Sequence, residues 1–164
     1  MKTLLIVYHS MTDGTRQMAA AAAAGAGCEA ATVQVRLLRA SDAGPADVLA
    51  ADAFLFATPE NLASMSGLMK DFFDRSYYAV LDRVNGRSYA VMICAGSDGR
   101  NAARQVERIA TGWRLKEVAD ALIVCTQAQT PEQMLRPKRI GPEDLARCEE
   151  LGGILAAGLS LGVF

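Results

Sequence analysis

Four short apolar runs decide what this chain can fold into: TLLIVY (Thr3 to Tyr8), AFLFAT (Ala53 to Thr58), YAVMICAG (Tyr89 to Gly96) and ALIVC (Ala121 to Cys125). They are near-continuous rather than alternating, the pattern of parallel strands covered on both faces. A fifth segment, TVQVRL, alternates Val33, Val35 and Leu37 with Thr32, Gln34 and Arg36. One of its faces is wet, which predicts an edge strand. Helical patterns lie between the strands. Gly14 to Ala24 is rich in good helix formers and is expected to stop at Gly25 and Gly27. Gly67 to Tyr78 sets Leu68, Met69, Phe72, Phe73 and Tyr77 on one stripe, and Asn101 to Thr111 does the same with Ala102, Val106, Ile109 and Ala110. Pro45 to Ala51 predicts a short helix. The last helix opens on Gly141 and Pro142, followed by Glu143 and Asp144, where acids favour the helix dipole. Leu145, Cys148, Gly152, Leu155 and Leu159 form its inward face. Strands alternating with helices imply right-handed crossovers and a parallel α/β sheet. The longest irregular stretch is Thr126 to Gly141, and loops of that length are often functional.

At 164 residues the chain is expected to form one domain, residues 1–164, with one full core. Its formal net charge of −1 argues against a general nucleic-acid binder. No apolar stretch approaches the span of a bilayer, so no membrane partner is expected. The N-terminal MKTLLIVYHS has an apolar run of only about five residues and no small-residue cleavage site, and reads as a strand rather than a signal peptide. The four cysteines form no C-x-x-C pair and the chain has one histidine, which argues against a metal site. Free thiols in a reducing cytoplasm are expected.

The chain leaves its first strand through YHSMTDGT (Tyr8 to Thr15). In a parallel sheet this loop lies at the carboxyl edge, where the next helix presents unpaired N–H groups and a partial positive charge. Ser10, Thr12 and Thr15 add hydroxyls and Gly14 allows close backbone approach, a set that suits a phosphate monoester. The competing reading, that Ser10 or Thr12 caps the helix, accounts for one hydroxyl and leaves two. The loop is neither G-x-x-x-x-G-K-[ST] nor G-x-G-x-x-G, which argues against a nucleoside triphosphatase and a dinucleotide site. A phosphate held without a cationic side chain suggests a resident cofactor. Asp13 stands beside it as an acid that would repel phosphate unless turned to solvent. His9 reads as an ordinary packed or exposed histidine.

SMTDGT (Ser10 to Thr15) resembles the phosphate loop of flavodoxin-like FMN proteins, S/T-x-T-G-x-T, with Asp13 where glycine is usual. AADAFLFATPENLASMSGLMKDFFDR (Ala50 to Arg75) is similar to the third strand, flavin loop and following helix of NAD(P)H-dependent FMN and quinone reductases, with M-S-G-x-M-K-x-F-x-D (Met65 to Asp74) the more specific half. The resemblance implies a flavodoxin-like three-layer sandwich, a five-stranded parallel sheet in the order 2-1-3-4-5. It implies that Ser10, Met11, Thr12, Asp13, Gly14 and Thr15 surround the FMN phosphate. Thr58, Pro59, Glu60, Asn61 and Leu62 would line one side of the isoalloxazine, and Gly96, Ser97 and Asp98 the other. Relatives often carry an aromatic residue soon after Pro59. Its absence here leaves the ring to backbone and to Leu62 or Met65. Independently of the resemblance, ligands of open α/β sheets bind beyond the carboxyl ends of the strands, where these loops fall.

The function expected is an FMN-binding oxidoreductase, an NAD(P)H-dependent reductase of flavin or quinone acceptors, with NADH or NADPH as co-substrate. The cofactor carries the chemistry, so no catalytic acid or base is named. The alternatives are a flavodoxin-type electron carrier, which a net charge of −1 weighs against, and a flavin-free flavodoxin-like binding module. A response-regulator receiver is disfavoured by the missing acids after the first strand. RPKR (Arg136 to Arg139) reads as a solvated basic loop, with contact to an NADPH phosphate the alternative. The apolar fifth strand at an edge predicts a homodimer unless another element covers it.

Overall fold

The computed structural model of the chain describes residues 1–164. The strands are β1 (Lys2–Tyr8), β2 (Val33–Arg39), β3 (Ala53–Asn61), β4 (Ser64–Met65), β5 (Ser88–Ala95), β6 (Lys116–Glu117) and β7 (Leu122–Cys125). The sheet follows β2-β1-β3-β5, with β6 and β7 sharing the position beyond β5. The helices are α1 (Gly14–Ala26), α2 (Pro45–Ala50), α3 (Gly67–Val80), α4 (Arg100–Gly112), α5 (Pro131–Leu135) and α6 (Pro142–Leu161). This is the flavodoxin-like order 2-1-3-4-5 expected from the sequence. The strand count differs, seven instead of five, for two local reasons. The fifth position is broken into β6 and β7, and β3 runs on into an antiparallel hairpin with β4.

The apolar runs are buried as their composition requires. All eight residues of β5 are buried. Below the sheet, α1 and α6 enclose a core with Leu4, Ile6, Leu55 and Met92. Above it, α2, α3 and α4 cover an aromatic core in which Phe56 meets Phe54, Phe72, Phe73, Tyr89 and Trp113. Each such ring pair is worth about 0.5–1.5 kcal/mol beyond its burial. β2 is the wet edge strand, but it runs to Arg39. Leu37 is exposed, while Leu38 packs on the aromatic core.

Gly25 does not stop α1. It lies inside the helix, where a Cβ would stand 1.9 Å from the Glu149 carbonyl oxygen, and a Cβ at Gly152 would stand 1.9 Å from the Ala22 carbonyl oxygen. The two glycines let α1 and α6 pack backbone to backbone. The outer edge at β6 and β7 has no strand partner. It is blunted by its break and by the charges of Lys116, Glu117 and Asp120, devices that discourage edge pairing. The long segment Thr126–Gly141 is partly ordered by α5, which Thr130 and Gln133 start with a capping box. No helix is long and apolar enough to cross a membrane.

Candidate functional site

Three loops meet at the carboxyl edge of the sheet: the β1–α1 loop, the β3–β4 hairpin and the β5–α4 loop. In the first, Asp13 is the N-cap of α1 with φ of +73°, and no side chain caps the helix. The left-handed conformation is why glycine suits this position and why Asp is a tolerable replacement. The Asp13 carboxylate is held by Arg16 and accepts from Gln17 Nε2 at 3.1 Å, so it is bound rather than loose in solvent. The Arg16 hydrogen bonds hold its pKa below the usual carboxylate range.

The capping explanation for the hydroxyls fails. Ser10 Oγ and Thr15 Oγ1 are buried without a hydrogen-bond partner, and Thr12 Oγ1 accepts only from Lys138 Nζ, at 3.3 Å. Buried hydroxyls left unmade are costly, about 1–3 kcal/mol each, and an anion accepting from them removes that cost. Gly14 is required by crowding, since a Cβ there would stand 2.6 Å from Cys94 Sγ and 3.2 Å from Lys138 Cβ. Burial pushes the Cys94 thiol up to about 11, so it stays protonated and inert. A cavity of about 190 Å³ opens on this loop, walled by Ser10, Thr12, Arg16, Arg39 and Pro137 among others. The backbone N–H of His9 donates to Ala57 O at 3.1 Å, and its side-chain Nδ1 is buried and unpartnered. Burial and the nearby Arg39 charge lower its pKa, keeping it neutral at neutral pH.

Two cations here were not legible in the loop itself. Arg39 comes from the end of β2, which the sheet order places beside β1 with Tyr8 opposite Arg39. Lys138 comes from 126 residues downstream of Thr12. The expectation of a loop without a cationic side chain is therefore corrected: the sequence puts none in the loop, and the topology brings two to it. Arg39 could have been anticipated from its place at the carboxyl end of a strand adjoining the first.

The hairpin projects from the sheet edge on a two-residue turn, Leu62 and Ala63, both left-handed with φ of +51° and +61°. A type I′ turn demands this, yet non-glycine residues pay about 1–3 kcal/mol each for it. α4 holds the turn in place. Gln105 Oε1 accepts from Ser64 Oγ at 2.8 Å and from the Met65 N–H at 2.9 Å, and Asn101 Nδ2 donates to Ala63 O at 2.6 Å. Leu62 is fully exposed at the tip, whereas Met65 is buried in the aromatic core and offers no surface to a ligand. Thr58 is also fully buried. Its hydroxyl is spent on Ser66, the N-cap of α3, and the residue offers no surface at the edge. Glu60 Oε2 accepts from the Gly99 N–H at 2.8 Å and ties the hairpin to the β5–α4 loop. In that loop Gly96 is overlain by the Ala128 carbonyl, Ser97 is exposed, and Asp98 pairs with Arg100. Asp98 Oδ1 also accepts from the N–H of Arg100, the first residue of α4, at 3.3 Å, although the N-cap position itself is Gly99, at φ of +84°. Pro59 and Asn61 are half-buried on the rim.

The profile of the family described as NADPH-dependent FMN reductase matches residues 1–129, the part of the chain that carries all three loops. The chain belongs to the NADPH-dependent FMN reductase family. Over 99 residues it is 31% identical to a flavodoxin of Aquifex aeolicus, covering 60% of this chain and 53% of that one. Over 96 residues it is 31% identical to an NAD(P)H dehydrogenase (quinone) of Acidithiobacillus ferrooxidans, covering 46% of this chain and 48% of that one. This FMN reductase family member thus spans about half the length of the curated relatives it matches. A solved flavodoxin from the Archaea superposes with a TM-score of 0.75 at 18% identity, covering 96% of this chain and 98% of that one, a likeness of fold. Family membership bears out the resemblance read from SMTDGT and from the Met65 to Asp74 motif. The family match stops at residue 129, before the Lys138 segment.

Proposed function

We propose that this chain binds FMN and acts as an NAD(P)H-dependent reductase of flavin or quinone acceptors. The observation that carries the reading is the pair of buried, unpartnered hydroxyls, Ser10 Oγ and Thr15 Oγ1, at the start of a helix whose Gly14 leaves room for nothing larger. Family membership supports the same cofactor. In this reading Ser10, Met11, Thr12, Asp13, Gly14 and Thr15 hold the phosphate. Pro59, Glu60, Asn61 and Leu62, above the buried Thr58, lie along one side of the ring, and Gly96, Ser97 and Asp98 along the other. Bound FMN would supply hydride acceptance from a reduced nicotinamide and electron delivery to the acceptor. The chain's own part is to anchor the phosphate, fix the hairpin through Gln105 and Asn101, and hold the ring loops in one register through the Glu60 to Gly99 bond. With four free cysteines, a reducing cytoplasm is the setting we propose.

The test is the visible spectrum of the purified protein with added FMN, followed anaerobically on adding NADH or NADPH. Flavin bands that bleach rapidly with nucleotide are expected. Bands that bleach with dithionite but persist with either nucleotide would make it an electron carrier, the reading favoured by the flavodoxin relatives. No flavin retained at saturating FMN would leave a binding module.

Asp13→Gly adds a check on the phosphate site. Glycine adopts φ of +73° without strain, and the change removes a carboxylate and frees Arg16 at the cavity wall. FMN affinity, read by quenching of flavin fluorescence, is expected to rise about three- to tenfold, the scale of one screened surface charge. A weaker complex would show that the Asp13 bonds to Arg16 and Gln17 organise the loop.

A further inference from the structure

After α5 the chain doubles back across the start of α1. The Lys138 N–H donates to Thr12 O at 2.7 Å. Gln17 of α1 grips the same strap on both sides of Arg139. Its Nε2 donates to Lys138 O at 2.7 Å, and its Oε1 accepts from the Ile140 N–H at 3.1 Å. Ile140 is buried in the core beneath α1. Lys138 Cβ lies against Gly14, over the helix start. The backbone of this strap is therefore fixed by contacts that do not involve the lysine side chain.

The side chain is disposed differently from its neighbours. Arg136 is neutralised by Glu132, and Arg139 is exposed. Lys138 Nζ turns in to Thr12 Oγ1 at 3.3 Å and is steadied by the carbonyls of Met134 at 2.8 Å and Arg136 at 2.7 Å. All its partners are neutral oxygens, and it forms no ion pair. A full positive charge is thus held, without a counter-charge, on a hydroxyl of the loop that has two further buried hydroxyls to satisfy.

We propose that Lys138 is the charge-compensating residue of the phosphate site, delivered in cis from far along the chain by the strap, and that it selects phosphorylated flavin over riboflavin. This rests on the reading of the first loop as the FMN phosphate site. A lysine ammonium is a compact charge with three donors, suited to a phosphate monoester as a point cation. Thr12 orients it, and Gln17 positions the strap that carries it.

The experiment compares dissociation constants for FMN and riboflavin, by quenching of flavin fluorescence, in flavin-free wild type, Lys138→Met, Lys138→Arg and Arg139→Met. Lys138→Met is expected to weaken FMN about tenfold to thirtyfold, the scale of a hydrogen bond to a charged group, and to leave riboflavin within about twofold. Lys138→Arg should restore most of the preference, and Arg139→Met should change neither ligand. Because the readout is a ratio within one protein, a general loss of stability does not mimic it. An equal loss for both flavins in Lys138→Met would make the lysine a structural staple and overturn the proposal. So would an unchanged FMN constant with a raised KM for NADPH but not NADH, which would assign the cation to the nucleotide. Wild type that prefers FMN while Lys138→Met retains that preference refutes Lys138 alone. Wild type that binds neither flavin refutes the phosphate-site reading with it.

Discussion

A Thr12→Glu variant is expected to bind FMN at least about a hundredfold more weakly than wild type while unfolding at nearly the same temperature. Thr12 is half-exposed and sits between Ser10 and Thr15, with its hydroxyl on Lys138. A carboxylate there stands where the phosphate is proposed to sit. Two unit charges about 4 Å apart repel by roughly 4 kcal/mol at an effective dielectric of 20, near three decades of affinity. Lys138 will pair with the new acid and offset part of that, which leaves about two decades. Thr12→Gln, similar in size and neutral, separates charge from bulk and is expected to cost tenfold or less, since it loses one hydroxyl contact. Riboflavin binding should scarcely respond to either change. Calorimetry with FMN and riboflavin measures all of this. An FMN constant in Thr12→Glu equal to that of wild type would remove the phosphate from this loop.

The second large effect concerns stability. Gly152→Ala should lower the thermal midpoint by roughly 2–8 °C, while Gly153→Ala, the next residue of the same helix, should raise it slightly. A Cβ at Gly152 lands 1.9 Å from the Ala22 carbonyl oxygen, a backbone atom that cannot swing aside. α6 and α1 must separate, and overpacking of this kind costs about 1–3 kcal/mol or more, set against up to about 1 kcal/mol of gained helix propensity. At this chain length each kcal/mol moves the midpoint by about 2–4 °C. At Gly153 the nearest atom is Gly25 O at 3.7 Å, an ordinary contact, so only the propensity gain is felt. Scanning calorimetry of the two variants decides it, and equal midpoints would mean that the helices do not meet as closely as described.

Much of the fold could be read from the chain because its strands carry their burial in composition. AFLFAT and YAVMICAG have no polar face to expose, so they had to be central and parallel. Helix starts were legible where chemistry marks them, as at Pro142 with its following acids. The misreadings are positional. Gly25 looks like a stop because glycine usually is one, and only a partner helix at backbone distance gives it another role. ALIVC looks like a whole edge strand because nothing in Lys116 and Glu117 announces a second, shorter piece. In the site, residues close in sequence were legible, and those brought by topology were not. The hydroxyls of SMTDGT read as an anion site, whereas Lys138 and Arg39 come to the same loop from elsewhere in the fold. Met65 was offered as a surface for the ring, and its place inside the aromatic core follows from the hairpin register that pairs it with Glu60.

The meeting of the two ends of the chain has a consequence for biosynthesis. α1 packs on the sheet and, among the helices, on α6, and its first turn is closed over by the strap at Lys138 and Ile140. On a ribosome adding about 5–20 residues per second, the loop from Ser10 to Thr15 emerges on the order of ten seconds before the segments that complete it. During that interval α1 has the sheet to lie on, while its other face awaits α6. In the proposed site, cofactor loading would wait for the Lys138 segment, and a chain truncated before it is expected to bind FMN more weakly than the full chain.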